Sequence, residues 1–87
     1  MKIEFSSPYR KAFKKLISKN PDLVFVVFNK LFVLSENINH PSLKLHKLKG
    51  ELKDFYAIPI ESNLRIILEL HDDGILLINI GTHDDVY

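Results

Sequence analysis

Cysteine is missing from this chain of 87 residues, and glycine occurs only 3 times. Without cysteine there is no disulfide framework and no thiolate metal site, which fits a reducing compartment. With so little glycine and 46% of its residues hydrophobic, the chain reads as an ordered globular domain rather than a disordered tail. Long apolar runs are absent too. The richest stretch, Leu23–Leu34, is broken by Asn29 and Lys30 and falls short of the about 20 apolar residues that a bilayer span needs. It is expected to be a buried helix, with no membrane partner. The start, Met1-Lys2-Ile3-Glu4-Phe5, has no apolar signal core, so a cytoplasmic location is expected. The length allows one core, hence a single domain over 1–87.

The net charge of +1 hides an uneven distribution. Lys2, Arg10, Lys11, Lys14, Lys15 and Lys19 face only Glu4 in residues 1–20, and Lys44, Lys47, Lys49 and Lys53 face only Glu51 in residues 41–53. Beyond residue 53 the acids dominate and Arg65 is the single basic residue. A basic front end can meet phosphates or simply solvate a helix.

Periodicity orders the elements. Lys2–Ser6 alternates and reads as a strand. Ser6-Ser7-Pro8 is a helix start, followed by Tyr9, Phe13, Leu16 and Ile17 at helical spacing. Asn20-Pro21-Asp22 ends that helix and begins another over about 22–37. In the second helix Val24, Val27, Phe28, Leu31 and Leu34 form a core stripe, leaving Phe25 and Phe32, with Val26 and Val33, as a surplus apolar face. Such surplus marks an interaction surface, here for a protein partner or a second copy. Strands follow at roughly 54–60, 63–71 and 75–81, the last two joined by the turn Asp72-Asp73-Gly74. The expected fold is α+β: an antiparallel sheet of about four strands with both helices on one face.

Along the strand 63–71, Leu64, Ile66, Leu68 and Leu70 share one face, so Arg65 projects from the other. His46 precedes the central strands among lysines, and His83 follows the last strand directly. Cleaving RNA with side chains alone needs a base for the 2′-hydroxyl, a cation for the phosphate and an acid for the departing oxygen. Histidine suits either proton role, since its ordinary pKa of about 6.5 lies near neutrality; arginine suits the phosphate through its charged planar fork. No ligand-spaced histidine pair occurs, so no metal or other cofactor is expected.

The order Lys44-Leu45-His46-Lys47-Leu48-Lys49-Gly50, Phe55-Tyr56-Ala57-Ile58, Leu64-Arg65-Ile66-Ile67 and Gly81-Thr82-His83 resembles the RelE/ParE superfamily of small bacterial toxins, most closely its YafQ-like branch. The resemblance implies the toxin of a type II toxin–antitoxin pair, an endoribonuclease cutting mRNA on the ribosome and neutralised by a cognate antitoxin, as a homodimer or a toxin–antitoxin heterotetramer. It implies catalytic roles for His46, Arg65, His83 and the terminal aromatic Tyr87, and RNA-binding roles for Lys44, Lys47, Lys49 and Lys53. His40 and His71 match no family position. YafQ-like enzymes carry a further histidine and an aspartate where this chain has Pro59 and Asn63. Two rival readings stand beside this one: a ParE-like gyrase inhibitor, and a binding-only member with weak or no catalysis.

Overall fold

A computed structural model describes residues 1–61 and 63–86, with residues 84 and 85 described by their backbone alone. The elements run β1 (Lys2–Phe5), α1 (Ser7–Lys19), α2 (Leu23–Glu36), β2 (His46–Lys47), β3 (Tyr56–Glu61), β4 (Leu64–His71), β5 (Gly74–Thr82) and α3 (His83–Val86). Short 3-10 turns at Pro41–Leu43 and Gly50–Leu52 flank β2.

The start of α1 follows from Ser6, whose Oγ accepts the Tyr9 backbone N–H at 3.2 Å and satisfies a donor that the first turn leaves open. Pro8 sits in that same turn, where its missing N–H costs nothing. At the far end the Asn20 N–H closes on the Leu16 carbonyl before Pro21 forces the break.

The sheet has five strands in the order β1-β5-β4-β3-β2. The expected antiparallel sheet of about four strands is therefore a mixed one. β1 pairs with β5 in parallel, Lys2 opposite Gly74 through Phe5 opposite Leu77. α1 and α2 bring the chain back only after it has left the sheet, and β1 takes the free edge of β5. The extra strand is β2, only two residues long, with His46 opposite Ala57 and Lys47 opposite Tyr56.

Both helices lie on the apolar face. Ile58, Ile66, Leu68, Ile75, Leu77 and Ile80 meet Tyr9, Val27, Leu34 and Leu43 in one core, each fully buried aliphatic side chain contributing about 1.5–3 kcal/mol. The buried stripe of α2 is Leu23, Val27 and Leu34 rather than the one expected: Val24 and Phe28 are exposed, Phe28 at 65%. The reason is that α2 is apolar on nearly every side, so its pattern does not fix which stripe turns inward; packing against β3 and the 3-10 turn does. Phe25 and Phe32 are exposed, at 70% and 57%. Among the described residues no helix is long and apolar enough to cross a membrane.

Pro59 lies in β3 opposite Arg65, and the register shifts between Pro59 and Glu61. β2 reaches only Tyr56 and Ala57, so the outer edge of β3 is unpaired at Pro59, where an absent N–H is harmless. Gly74 opens β5, and a Cβ there would stand 2.6 Å from the Lys2 carbonyl oxygen. Its service is thus space for β1, whereas Gly50, at φ 70°, supplies the left-handed backbone.

Candidate functional site

The face of the sheet away from the helices presents two of the candidate residues, His46 and Arg65. Ladder pairing aligns His46, Ala57, Ile67 and Asn79 in one row and Pro59, Arg65 and Gly81 in the next. Partners across a ladder share a face, so His46 and Arg65 stand on the same side. Two strand spacings and two residues along the strand separate their Cα atoms by about 12 Å. Ala57 and Ile67, both buried, floor the space between them.

Arg65 is half-buried between its ladder neighbours Pro59 and Gly81, with its Nε enclosed. Further along the same strand face, Glu69 pairs with His71, whose Nε2 lies 2.6 Å from Glu69 Oε1. β5 ends at Thr82, and His83 opens α3 two residues beyond Gly81. Arg65, Thr82 and His83 each have interaction partners, and His83 is exposed. Arg65 thus lies between the two histidines in the order of strands.

His46 is positioned by local backbone chemistry. The Pro41–Leu43 turn closes through Lys44 in the left-handed conformation, φ 51°, with its N–H on the Pro41 carbonyl. This swings His46 alongside β3, and the ring returns to the same loop, Nδ1 lying 3.0 Å from the Lys44 carbonyl oxygen. A carbonyl oxygen only accepts, so Nδ1 is the donor. The remaining nitrogen, Nε2, is then the lone-pair nitrogen of the neutral ring: a base.

The four lysines do not act as one group. Lys44 lines a recess of about 360 Å³ at the outer edge of β3, with Lys30, Ser42, Pro59, Ile60 and Glu61. Lys47 alternates to the helix-bearing face beside Tyr56, opposite to His46. Lys49 and Lys53 bracket the Gly50–Leu52 turn, exposed. His40 is spent locally, its Nδ1 accepting the Ser42 N–H at 3.1 Å. Tyr87 lies outside the described residues. Among the described residues no group of three or more histidine or acidic side chains could hold a metal ion.

One residue escaped the sequence reading. Asn79 completes the His46 row, and its Oδ1 accepts the Ile80 N–H at 2.9 Å beside a register shift in the β4–β5 ladder. The available signal was its being the single polar residue in the run Ile75–Ile80.

A five-stranded mixed sheet with both helices on one face is the RelE/ParE-like fold of small α+β toxins. Within it the chain belongs to the YafQ family of bacterial toxins of type II toxin–antitoxin systems, whose model matches residues 1–87. It is similar to a metal-bound toxin from Helicobacter pylori, at 27% identity and TM-score 0.84 over 100% of this chain and 99% of that one. It is also similar to YafQ from E. coli, at 22% identity and TM-score 0.83, covering 99% and 97% of the two chains. A chain of the E. coli DinJ–YafQ toxin–antitoxin complex matches at 25% identity and TM-score 0.81 over 99% and 96%. No curated protein matches the sequence. A family match over the whole chain does not favour the gyrase-inhibiting alternative.

Proposed function

We propose that this toxin is an endoribonuclease that cuts mRNA on the ribosome, in the cytoplasm, with its own side chains. Arg65 holds the scissile phosphate above the Ala57–Ile67 floor. The His46 Nε2 takes the proton of the 2′-hydroxyl, whose oxygen attacks phosphorus. The bond from phosphorus to the 5′ oxygen breaks, and protonated His83 supplies the proton that this oxygen needs to leave, giving a 2′,3′-cyclic phosphate and a 5′-hydroxyl. Positioned acids and bases typically contribute about 10²–10⁴-fold each. The observation that carries this reading is the register: His46 and Arg65 share one face, and β5 delivers His83 two residues past the residue paired with Arg65.

Control comes from a cognate antitoxin. DinJ and YafQ of E. coli form a toxin–antitoxin complex, and in this chain the exposed rings of Phe25 and Phe32 on α2 are the surface to which such a partner docks. Phe28 extends that surface into an apolar groove of about 460 Å³ between α1 and α2.

Expression of the chain alone, followed by mapping of mRNA 5′ ends, tests the activity. New 5′-hydroxyl ends within translated messages are expected, and are expected to vanish for His83→Ala. Growth arrest with intact mRNA would refute it.

A further inference from the structure

β1 covers only part of the edge of β5. Its pairing stops at Phe5 opposite Leu77, Ser6 then bonds to the Leu77 and Ile78 carbonyls, and the chain turns into α1. From Asn79 onward the neighbour of β5 is therefore α1. Between the two lies a recess of about 370 Å³, lined on one side by Lys15 and Lys19 and on the other by Asn79 and Gly81.

Beside the apolar Ala12, Leu16 and Ile80, the polar side chains of this recess are donors. Lys15 and Lys19 are exposed and one helical turn apart, and neither forms an ion pair among the described residues. Because the Asn79 Oδ1 is occupied by the Ile80 N–H, the side that remains is its Nδ2, a donor. No carboxylate among the described residues lines the recess. The helix itself carries Arg10, Lys11, Lys14, Lys15 and Lys19 without one acid, an arrangement that repels itself, since like charges a turn apart destabilise a helix. Arg10 has a local use, its Nε donating to the Phe5 carbonyl at 3.2 Å, and Lys19 complements the dipole in the last turn; an anion between Lys15 and Lys19 would relieve the repulsion that remains.

We propose that this recess binds a phosphate of the RNA backbone next to the one held by Arg65, with Lys15 and Lys19 as its cations and Asn79 as its neutral donor. The proposal rests on the reading of the open face as an RNA-cleaving site. What selects RNA over an acidic protein segment is continuity: Gly81 lines the recess and is also the ladder partner of Arg65. A strand leaving Arg65 reaches the recess by crossing one backbone. The large exposed apolar side chains, which a protein segment would use, lie instead on α2 and near β1.

The test is binding of the intact chain to a fluorescent single-stranded RNA 20-mer across a salt series, read by anisotropy. Each phosphate neutralised contributes about 0.7 to the slope of log affinity against log salt for single strands, and the recess holds one, so Lys15→Gln with Lys19→Gln should reduce that slope by about 0.7. Lys15→Arg with Lys19→Arg should keep it. Asn79→Ala should weaken binding several-fold without changing the slope, and Lys2→Gln, at the far end of the sheet, should change neither. An unaltered slope in the double glutamine variant, or no RNA binding by the parent, overturns the subsite. So does a loss confined to a poly-glutamate peptide probe. His83→Ala separates the two readings: cleavage lost with the lysine-dependent slope intact supports both. Cleavage indifferent to His83 sinks the catalytic scheme and leaves the recess standing.

Discussion

Replacing Gly74 by alanine puts a number on how closely β1 approaches the hairpin. The added methyl group would lie 2.6 Å from the Lys2 carbonyl oxygen and 3.4 Å from the Lys2 carbonyl carbon and Cβ, where ordinary contact begins at 3.4 Å. The obstructing oxygen belongs to backbone held in the parallel ladder, so no side-chain rotation relieves the clash and β1 has to move. Forcing an extra methyl group into packed structure costs about 1–3 kcal/mol. The substitution also stiffens the unfolded chain, which returns about 0.4–1 kcal/mol. The net loss is about 1–2 kcal/mol, and at about 4–8 °C per kcal/mol for a domain of this size the melting temperature should fall by about 5–15 °C. Thermal unfolding followed by circular dichroism measures it. Amide exchange should show the loss concentrated in residues 2–5, with β3 and β4 still protected. A melting temperature equal to or above that of the parent would show that β1 is not held as described.

His83→Ala should lower the rate of RNA cleavage by about 10²–10⁴-fold with unfolding unchanged. His46→Ala should cost less, since His46 stands about 12 Å from Arg65 along the ladder and water can replace a base more readily than an acid; single-turnover cleavage compares them, and equal losses would refute the ordering. Tyr9 is buried with its hydroxyl unpartnered among the described residues, so Tyr9→Phe should leave stability unchanged or raise it by about 1 kcal/mol in denaturant titrations. Burial raises the Tyr9 pKa to about 12, above its ordinary value. The folded state therefore keeps a proton that the unfolded state releases, and stability should fall as pH climbs from 10 to 12. The Phe variant should lack that component, worth roughly 2–3 kcal/mol. Phe25→Ser with Phe32→Ser should weaken capture by the antitoxin at least tenfold, measured by calorimetry, while leaving the melting temperature and RNA cleavage within error.

Sequence and structure agree where a pattern had one physical meaning. The alternation from Leu64 to Leu70 admits a single inward face, and Arg65 is on the other side as a consequence. Ser6 and Pro8 marked the start of α1 because few other residues serve there. The pattern failed where it was degenerate. α2 is apolar almost all round, so which of its phenylalanines faces outward was decided by its neighbours and not by its own period. β2 is two residues long, too short to show any period, and it exists because β3 offers an edge. The parallel partner of β1 was illegible for a different reason, since alternation describes a strand's faces and says nothing of what lies along its edges. The same limitation hid the lysine-lined recess, which joins residues about sixty positions apart. Of the candidate site, the face of Arg65 was readable, whereas the face of His46 and the split between Lys44 and Lys47 followed from a register that only pairing sets.

The parallel pairing also governs when the molecule can become harmful. β5, the last strand in the chain, lies inside the sheet between β1 and β4, and the bond from the Ser6 hydroxyl to the Ile78 carbonyl spans 72 positions. A growing polypeptide therefore carries α1, α2 and three further strands before the piece that unites them exists. Contacts of such long sequence separation are also the slow ones to form. Arg65 acquires its Gly81 neighbour, and His83 its place, only in that closing step. Under the proposed scheme a truncated or stalled product would be inert, and the interval before the sheet closes is one in which a newly made antitoxin can already be waiting.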